Sequence, residues 1–179
     1  MLDIFTIILA VIGTVAVALL IYVARQPSEF RIERTYEIGA PADKIFPLIN
    51  DLKQFNMWNP FAKADPASAI TCSGPTDGVG AAYEWSGRRS GAGRMQIATS
   101  IPSSKVTANL DFLKPFAASN IAEFTLVARG GSTAVIWAMT GRRPFSHKCI
   151  GTIFNMDKMV GGEFAKGLAE LKAMAERKG

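Results

Sequence analysis

The chain has 179 residues, 49% of them hydrophobic and 20% charged, with 20 Lys and Arg against 15 Asp and Glu. That length holds one ordinary domain with a small appendage, and 11 Phe with 3 Trp exclude a disordered or collagen-like chain. Two cysteines, Cys72 and Cys149, supply neither a disulfide framework nor a four-ligand zinc site, and a net charge of +5 is too small to argue for nucleic acid.

The apolar residues are unevenly spread. From Ile4 to Ala24 run 21 residues without a charge. As a helix this segment would cover roughly 30 Å, the hydrocarbon thickness of a bilayer. Two other readings of this segment compete with a membrane span. A buried core helix rarely lacks polar residues for so long. A cleaved signal peptide wants a basic start, whereas Asp3 is the only charged side chain before the run. Ala16-Val17-Ala18 has the look of a cleavage tripeptide, yet Leu19 to Val23 continue the apolar run past it. The reading favoured is an uncleaved anchor, with residues 1–27 as membrane helix and linker. No Lys or Arg precedes the span, and Arg25, Arg31 and Arg34 follow it. Basic flanks stay on the cytoplasmic side, which predicts a single-pass protein of the inner (cell) membrane with its soluble domain in the cytoplasm. Ala10, Thr14 and Ala18 recur every four residues, a small-residue stripe that suits contact with a second transmembrane protein.

Gln26-Pro27-Ser28 breaks the helix, and residues 28–179 read as one domain. Phe30, Ile32, Tyr36 and Ile38 alternate with polar residues, which predicts a strand with one buried face. After Gly39-Ala40-Pro41 a short helix is expected around Ile45–Leu52, interrupted by Pro47. A second follows at Lys53–Trp58 and ends at Asn59-Pro60. Strands are then predicted at Ala69–Cys72, Ala81–Ser86, Arg94–Ile101, Lys105–Phe112, Asn120–Ala128 and Thr133–Thr140. Turn signals separate them: Asp77-Gly78, Gly87 to Gly93, Pro102-Ser103, Pro115 and Gly130-Gly131. Short links between successive strands imply an antiparallel meander. The helical period returns from about Asn155 to Glu176, with Met156, Met159 or Val160, Phe164, Leu168, Leu171 and Ala175 on one stripe. The fold class is α+β.

Several phrases, in this order, carry a resemblance. They are Ala40-Pro41-Ala42-Asp43-Lys44-Ile45-Phe46, Asn50-Asp51-Leu52, Trp58-Asn59-Pro60-Phe61 and Gly78-Val79-Gly80-Ala81-Ala82-Tyr83-Glu84-Trp85. Further on come Ala134 to Gly141 and Glu163 to Lys172. Together they span about 28–176 and resemble the START-like superfamily, also called SRPBCC or Bet v 1-like, and within it the polyketide cyclase/dehydrase and lipid-transport type. The resemblance implies a helix-grip fold: a curved antiparallel sheet around a long C-terminal helix, with a cavity between them. The residues expected to line it for ligand binding are Trp58, Asn59, Tyr83, Trp85, Leu110, Phe112, Trp137, Met139 and Phe164. Gly161, Gly162 and Gly167 are expected to leave room there, because bulk on the helix would close the groove. A cavity filled solid by these aromatic and Met side chains is the rival expectation.

Catalytic chemistry is thin. His147 is the one histidine, and His147 near Cys149 reads better as a solvated loop histidine beside an inert thiol than as a reactive pair. No His, Cys and Asp cluster has metal spacing, so no metal and no cofactor is expected. Gly74 to Gly80 precedes a strand rather than a helix and reads as a turn, not a phosphate loop. Arg88-Arg89 and Arg142-Arg143 read as solvated strand ends that can touch lipid headgroups. The leading expectation is a non-catalytic, membrane-anchored binding domain for a lipid, isoprenoid or quinone, whose partners are the bilayer and that small molecule. An accessory subunit of a larger membrane complex is second, and a polyketide cyclase/aromatase-like enzyme third.

Overall fold

The fold was analysed in a computed structural model that describes residues 3–25, 27–142 and 156–177. Helix α1 runs Ile4–Arg25 and is followed by β1, Glu29–Ile38. Three short helices come next: α2 (Ala42–Asn50), α3 (Leu52–Trp58) and α4 (Pro60–Ala64). Strands β2 (Ala69–Ser73), β3 (Ala82–Gly87), β4 (Gly91–Ile101), β5 (Lys105–Lys114), β6 (Ala118–Arg129) and β7 (Ser132–Arg142) then form a meander, and α5 (Met156–Ala175) closes the chain. The sheet is antiparallel and ordered β1-β7-β6-β5-β4-β3-β2, so β1 joins the meander at its far edge. This is the α+β helix-grip fold expected from the sequence. His147 and Cys149 lie outside the described residues.

Local chemistry explains the helix boundaries. The Asp51 carboxylate accepts from the Lys53 and Gln54 N–H groups and so caps α3. Asn59 ends α3 and starts α4: its Oδ1 accepts from Phe61 N at 3.1 Å, and Pro60 occupies the first helical position, where its missing N–H costs nothing. Asn59-Pro60, expected only to end α3, also starts α4. Pro47, expected to interrupt the preceding helix, does not, and α2 is continuous from Ala42 to Asn50. The Pro47 carbonyl, not its nitrogen, is what the next turn needs, and it accepts from Asp51 N.

Side chains from the concave face of the sheet meet α3 and α5 in an aromatic core. Phe55 and Trp58 pack edge to face at 4.9 Å, Phe124 lies 5.1 Å from Trp137, and Trp137 stacks on Phe164 at 4.1 Å with their planes 10° apart. Outward-facing Glu84, Glu123 and Asp111 pair with Arg94, with Lys105 and Arg31, and with Ser119, as their alternation with apolar residues predicts.

The three glycines of α5 do not open the groove, which corrects the sequence expectation. A Cβ on Gly161 would collide with the Arg34 guanidinium, which crosses here to hold Asp157 at 2.9 Å. A Cβ on Gly167 would lie 2.8 Å from Trp137 Cζ3 and 2.9 Å from Pro60 Cδ, while one on Gly162 would meet nothing within 4 Å. Two opposite outcomes are therefore expected in denaturant titrations. Gly162→Ala stabilises the protein by about 0.5–1 kcal/mol through helix propensity. Gly167→Ala destabilises it by about 1–2 kcal/mol, because the strain of overpacking against a fixed indole exceeds that gain.

Candidate functional site

A cavity of about 300 Å³ lies between the concave face of the sheet and helices α4 and α5. The rival expectation of a solid core does not hold. Phe164 and Val160 of α5 line the cavity together with Met95, Leu110 and Ala122 of the sheet. Of the nine residues expected to line it, eight do: Asn59, Tyr83, Trp85, Leu110, Phe112, Trp137, Met139 and Phe164. Trp58 does not. It is fully buried behind the wall, with Nε1 donating to the Leu48 carbonyl at 2.8 Å, and it supports Phe55, which does line the space. The sequence reading missed Phe55, Phe61, Ile70, Met95, Ala122 and Val160. Of these, Phe61 and Ile70 belong to α4 and to the exposed edge strand β2, where no clean alternation marks an inner face.

The lining is almost wholly apolar, and most of its polar groups are engaged. Asn59 Nδ2 lies 3.5 Å from the Tyr83 hydroxyl and 3.3 Å from Asn56 Oδ1. Burial pushes the Tyr83 phenol well above its ordinary range, so it stays neutral. Trp85 Nε1 donates to the Ser90 carbonyl. Trp137 Nε1, in the wall, is buried without a hydrogen-bond partner.

At the rim, Asp65 Oδ2 accepts from the N–H groups of Arg89 and Ser90 and from the Ser90 hydroxyl, each at 3.0 Å. Gly87 leaves the room for this, since a Cβ there would collide with Asp65 Oδ2 and Ser90 Oγ. The hydrogen bonds from Ser90 and Arg89 hold the Asp65 carboxyl below its ordinary value. A depressed carboxylate contributes stability above its unfolded pKa of about 4 and loses it as pH falls through the lower, folded value. The protection of the Arg89 and Ser90 amides, measured against their intrinsic exchange rates, is therefore expected to fall selectively on acidification below about pH 4. In Asp65→Asn that protection should be low and independent of pH over the same range.

Strand registers place one set of features at a single end of the sheet. Glu29 opposes Arg142, Gly141 opposes Asn120, Ala118 opposes Phe112, Lys114 opposes Ala92, Gly91 opposes Gly87, and Ser86 opposes Ala69. The start of β1, the β3–β4 and β5–β6 turns and the start of β2 thus share that end. The exposed lining residues Phe61, Ile70 and Arg89 belong to α4, the start of β2 and the β3–β4 turn, so the cavity opens toward the end of the sheet at which β1 begins.

Residues 29–176 match the family described as polyketide cyclase / dehydrase and lipid transport. The chain belongs to that family. Among curated proteins no sequence matches. Solved structures with the same fold include a protein from Chromobacterium violaceum, 15% identical over 86% of this chain and 100% of that one, TM-score 0.59. The major latex-like protein 151 of Panax ginseng is 11% identical over 84% and 100%, TM-score 0.58, and Ara h 8.0201 is 13% identical over 82% and 97%, TM-score 0.55. These likenesses establish a Bet v 1-like fold. The family match covers the sheet, the cavity walls and α5, and leaves α1 outside.

Proposed function

We propose that this member of the polyketide cyclase/dehydrase and lipid transport family is a membrane-anchored, non-catalytic binding domain for a hydrophobic small molecule such as a lipid, isoprenoid or quinone. The observation that carries the reading is the apolar cavity of about 300 Å³, at the lower end of the range for ligand sites. Its walls offer an acyl or prenyl chain aromatic and Met surface. They offer an acid–base reaction little, because burial makes the Tyr83 phenol a weaker acid than an ordinary tyrosine and Asp65 is occupied by its hydrogen bonds. Among the described residues no group of three or more His, Cys, Asp or Glu stands close enough to hold a metal.

The anchor reading has its own support. Thr6–Arg25 is long and apolar enough to cross a bilayer, and 6% of its most apolar window is buried. Ile8, Ile12, Val15 and Leu19 are each about half exposed or more, an arrangement that water penalises and lipid does not. Ala10, Thr14 and Ala18 are exposed, and the Thr14 hydroxyl already donates to the Ala10 carbonyl at 2.8 Å. The flanking arginines favour the cytoplasmic side for the domain. With the cavity mouth and the linker at one end of the sheet, a ligand could pass between bilayer and cavity with little exposure to water.

The test is extraction of the full chain, purified from membranes in mild detergent, followed by mass spectrometry of the organic phase. An apolar molecule recovered in stoichiometric amount is the expected result. Recovery of none, together with no binding when lipids, isoprenoids and quinones are offered, would contradict the reading.

A further inference from the structure

We propose that the β5–β6 turn, Leu113 to Ala117, and the neighbouring β3–β4 turn form a surface that docks on an anionic lipid bilayer, the same one in which α1 is embedded. This rests on the anchor reading. The turn reads Leu-Lys-Pro-Phe-Ala, and all five residues are exposed, Leu113 and Phe116 at 63% each. An aliphatic and an aromatic side chain with this much exposed surface on either side of a lysine suit the boundary between headgroups and acyl chains. The β3–β4 turn beside it presents Arg88 and Arg89, both exposed. The two turns make one surface: Gly91, at φ +68°, packs so closely that a Cβ there would collide with the Lys114 carbonyl.

Charge at this end of the sheet is lopsided. Lys114, Arg88, Arg89 and Arg142 gather there. The acids nearby are Glu29, itself 3.4 Å from Arg142, Asp111, which accepts from Ser119, and Asp65, committed to the Arg89 and Ser90 amides. At the opposite end, Lys105 and Arg129 at the strand ends pair with Glu123 at 2.6 Å and Glu37 at 3.7 Å, and the turns Pro102-Ser103-Ser104 and Gly130-Gly131 carry no charge. Reach favours the bilayer as occupant. Residues 26–28 separate α1 from β1, and such a link spans at most about 14 Å. An embedded α1 therefore keeps this end of the sheet close to the headgroups, where each cation gains attraction from anionic lipid.

The experiment uses the full chain reconstituted into vesicles of phosphatidylcholine, with or without phosphatidylglycerol. Cys72 and Cys149 are replaced by serine, and an environment-sensitive fluorophore is placed at Leu113→Cys, at Ser104→Cys on the opposite end, or at Val15→Cys in α1. Expected is several-fold stronger quenching by a headgroup-proximal lipid nitroxide at 113 than at 104, enhanced by phosphatidylglycerol. Arg88→Ala or Lys114→Ala should each lower the docked-to-undocked ratio about fivefold in anionic vesicles and leave it unchanged in neutral ones. A label at 113 as water-exposed as that at 104, with the label at 15 still quenched by lipid, would overturn docking and leave the anchor standing. A label at 113 shielded from aqueous quencher but beyond reach of the lipid nitroxide would overturn it in favour of a protein contact. No lipid quenching at 15 would remove the anchor reading, and the docking with it.

Discussion

Replacing Ala122 by phenylalanine is expected to weaken binding of an apolar ligand by roughly tenfold or more while leaving the protein at least as stable as before. Ala122 sits at the middle of β6 between Ala108 and Met139, buried, with its methyl group on the cavity wall. A benzyl group added there grows into existing empty space, so the usual strain of overpacking does not apply. Burying the ring contributes up to about 2 kcal/mol instead. The combination discriminates. A change that unfolds the domain lowers both binding and melting temperature, whereas a plug lowers binding alone. Ile121→Phe is the control, because Ile121 is next in sequence but 49% exposed on the other face of the sheet. It should leave affinity unchanged in a fluorescence titration with an apolar probe.

The second large effect is expected in α1. Val11→Arg with Val15→Arg places two cations near the centre of the span, each costing about 2.5–3.5 kcal/mol of insertion free energy. Both side chains are more than half exposed, so neither substitution disturbs the soluble domain. The summed penalty shifts an insertion equilibrium by about four orders of magnitude. The double variant should leave the membrane pellet for the supernatant, with the wild-type chain staying in the pellet after carbonate washing. Intact-mass measurement of the wild-type chain separates anchor from signal sequence: an anchor retains residues 1–24, whereas a signal sequence yields a shorter, soluble product.

The sheet and α5 were legible because each buries one face, and burial of one face imposes a period. Tyr83 and Trp85 on β3, Leu110 and Phe112 on β5, and Trp137 and Met139 on β7 alternate as a half-buried strand requires, and all six reach the cavity. Trp58 misled because a large aromatic beside Asn59 fits a wall and a core equally well. What decides is its Nε1 bond to the Leu48 carbonyl, a contact ten residues away that no local pattern encodes. The glycines of α5 misled for a related reason. Absence of a side chain signals close approach without naming what approaches, and here it is Arg34 at Gly161, and Trp137 with Pro60 at Gly167. The pairing of β1 with β7 lay beyond the sequence as well, since it joins segments about a hundred residues apart. It is also what brings the α1 linker to the cavity's open end.

The central claim is that an acyl or prenyl chain enters the cavity, and tryptophan fluorescence reports on it directly. Trp85 and Trp137 line the space, Trp58 lies just behind its wall, and α1 contains no tryptophan. Titrating the detergent-solubilised full chain with a fatty acid brominated in mid-chain should give saturable quenching that persists in Trp58→Phe and is lost in Ala122→Phe. Fluorescence that stays unquenched at saturating brominated lipid, or quenching that Ala122→Phe leaves unchanged, would contradict the account.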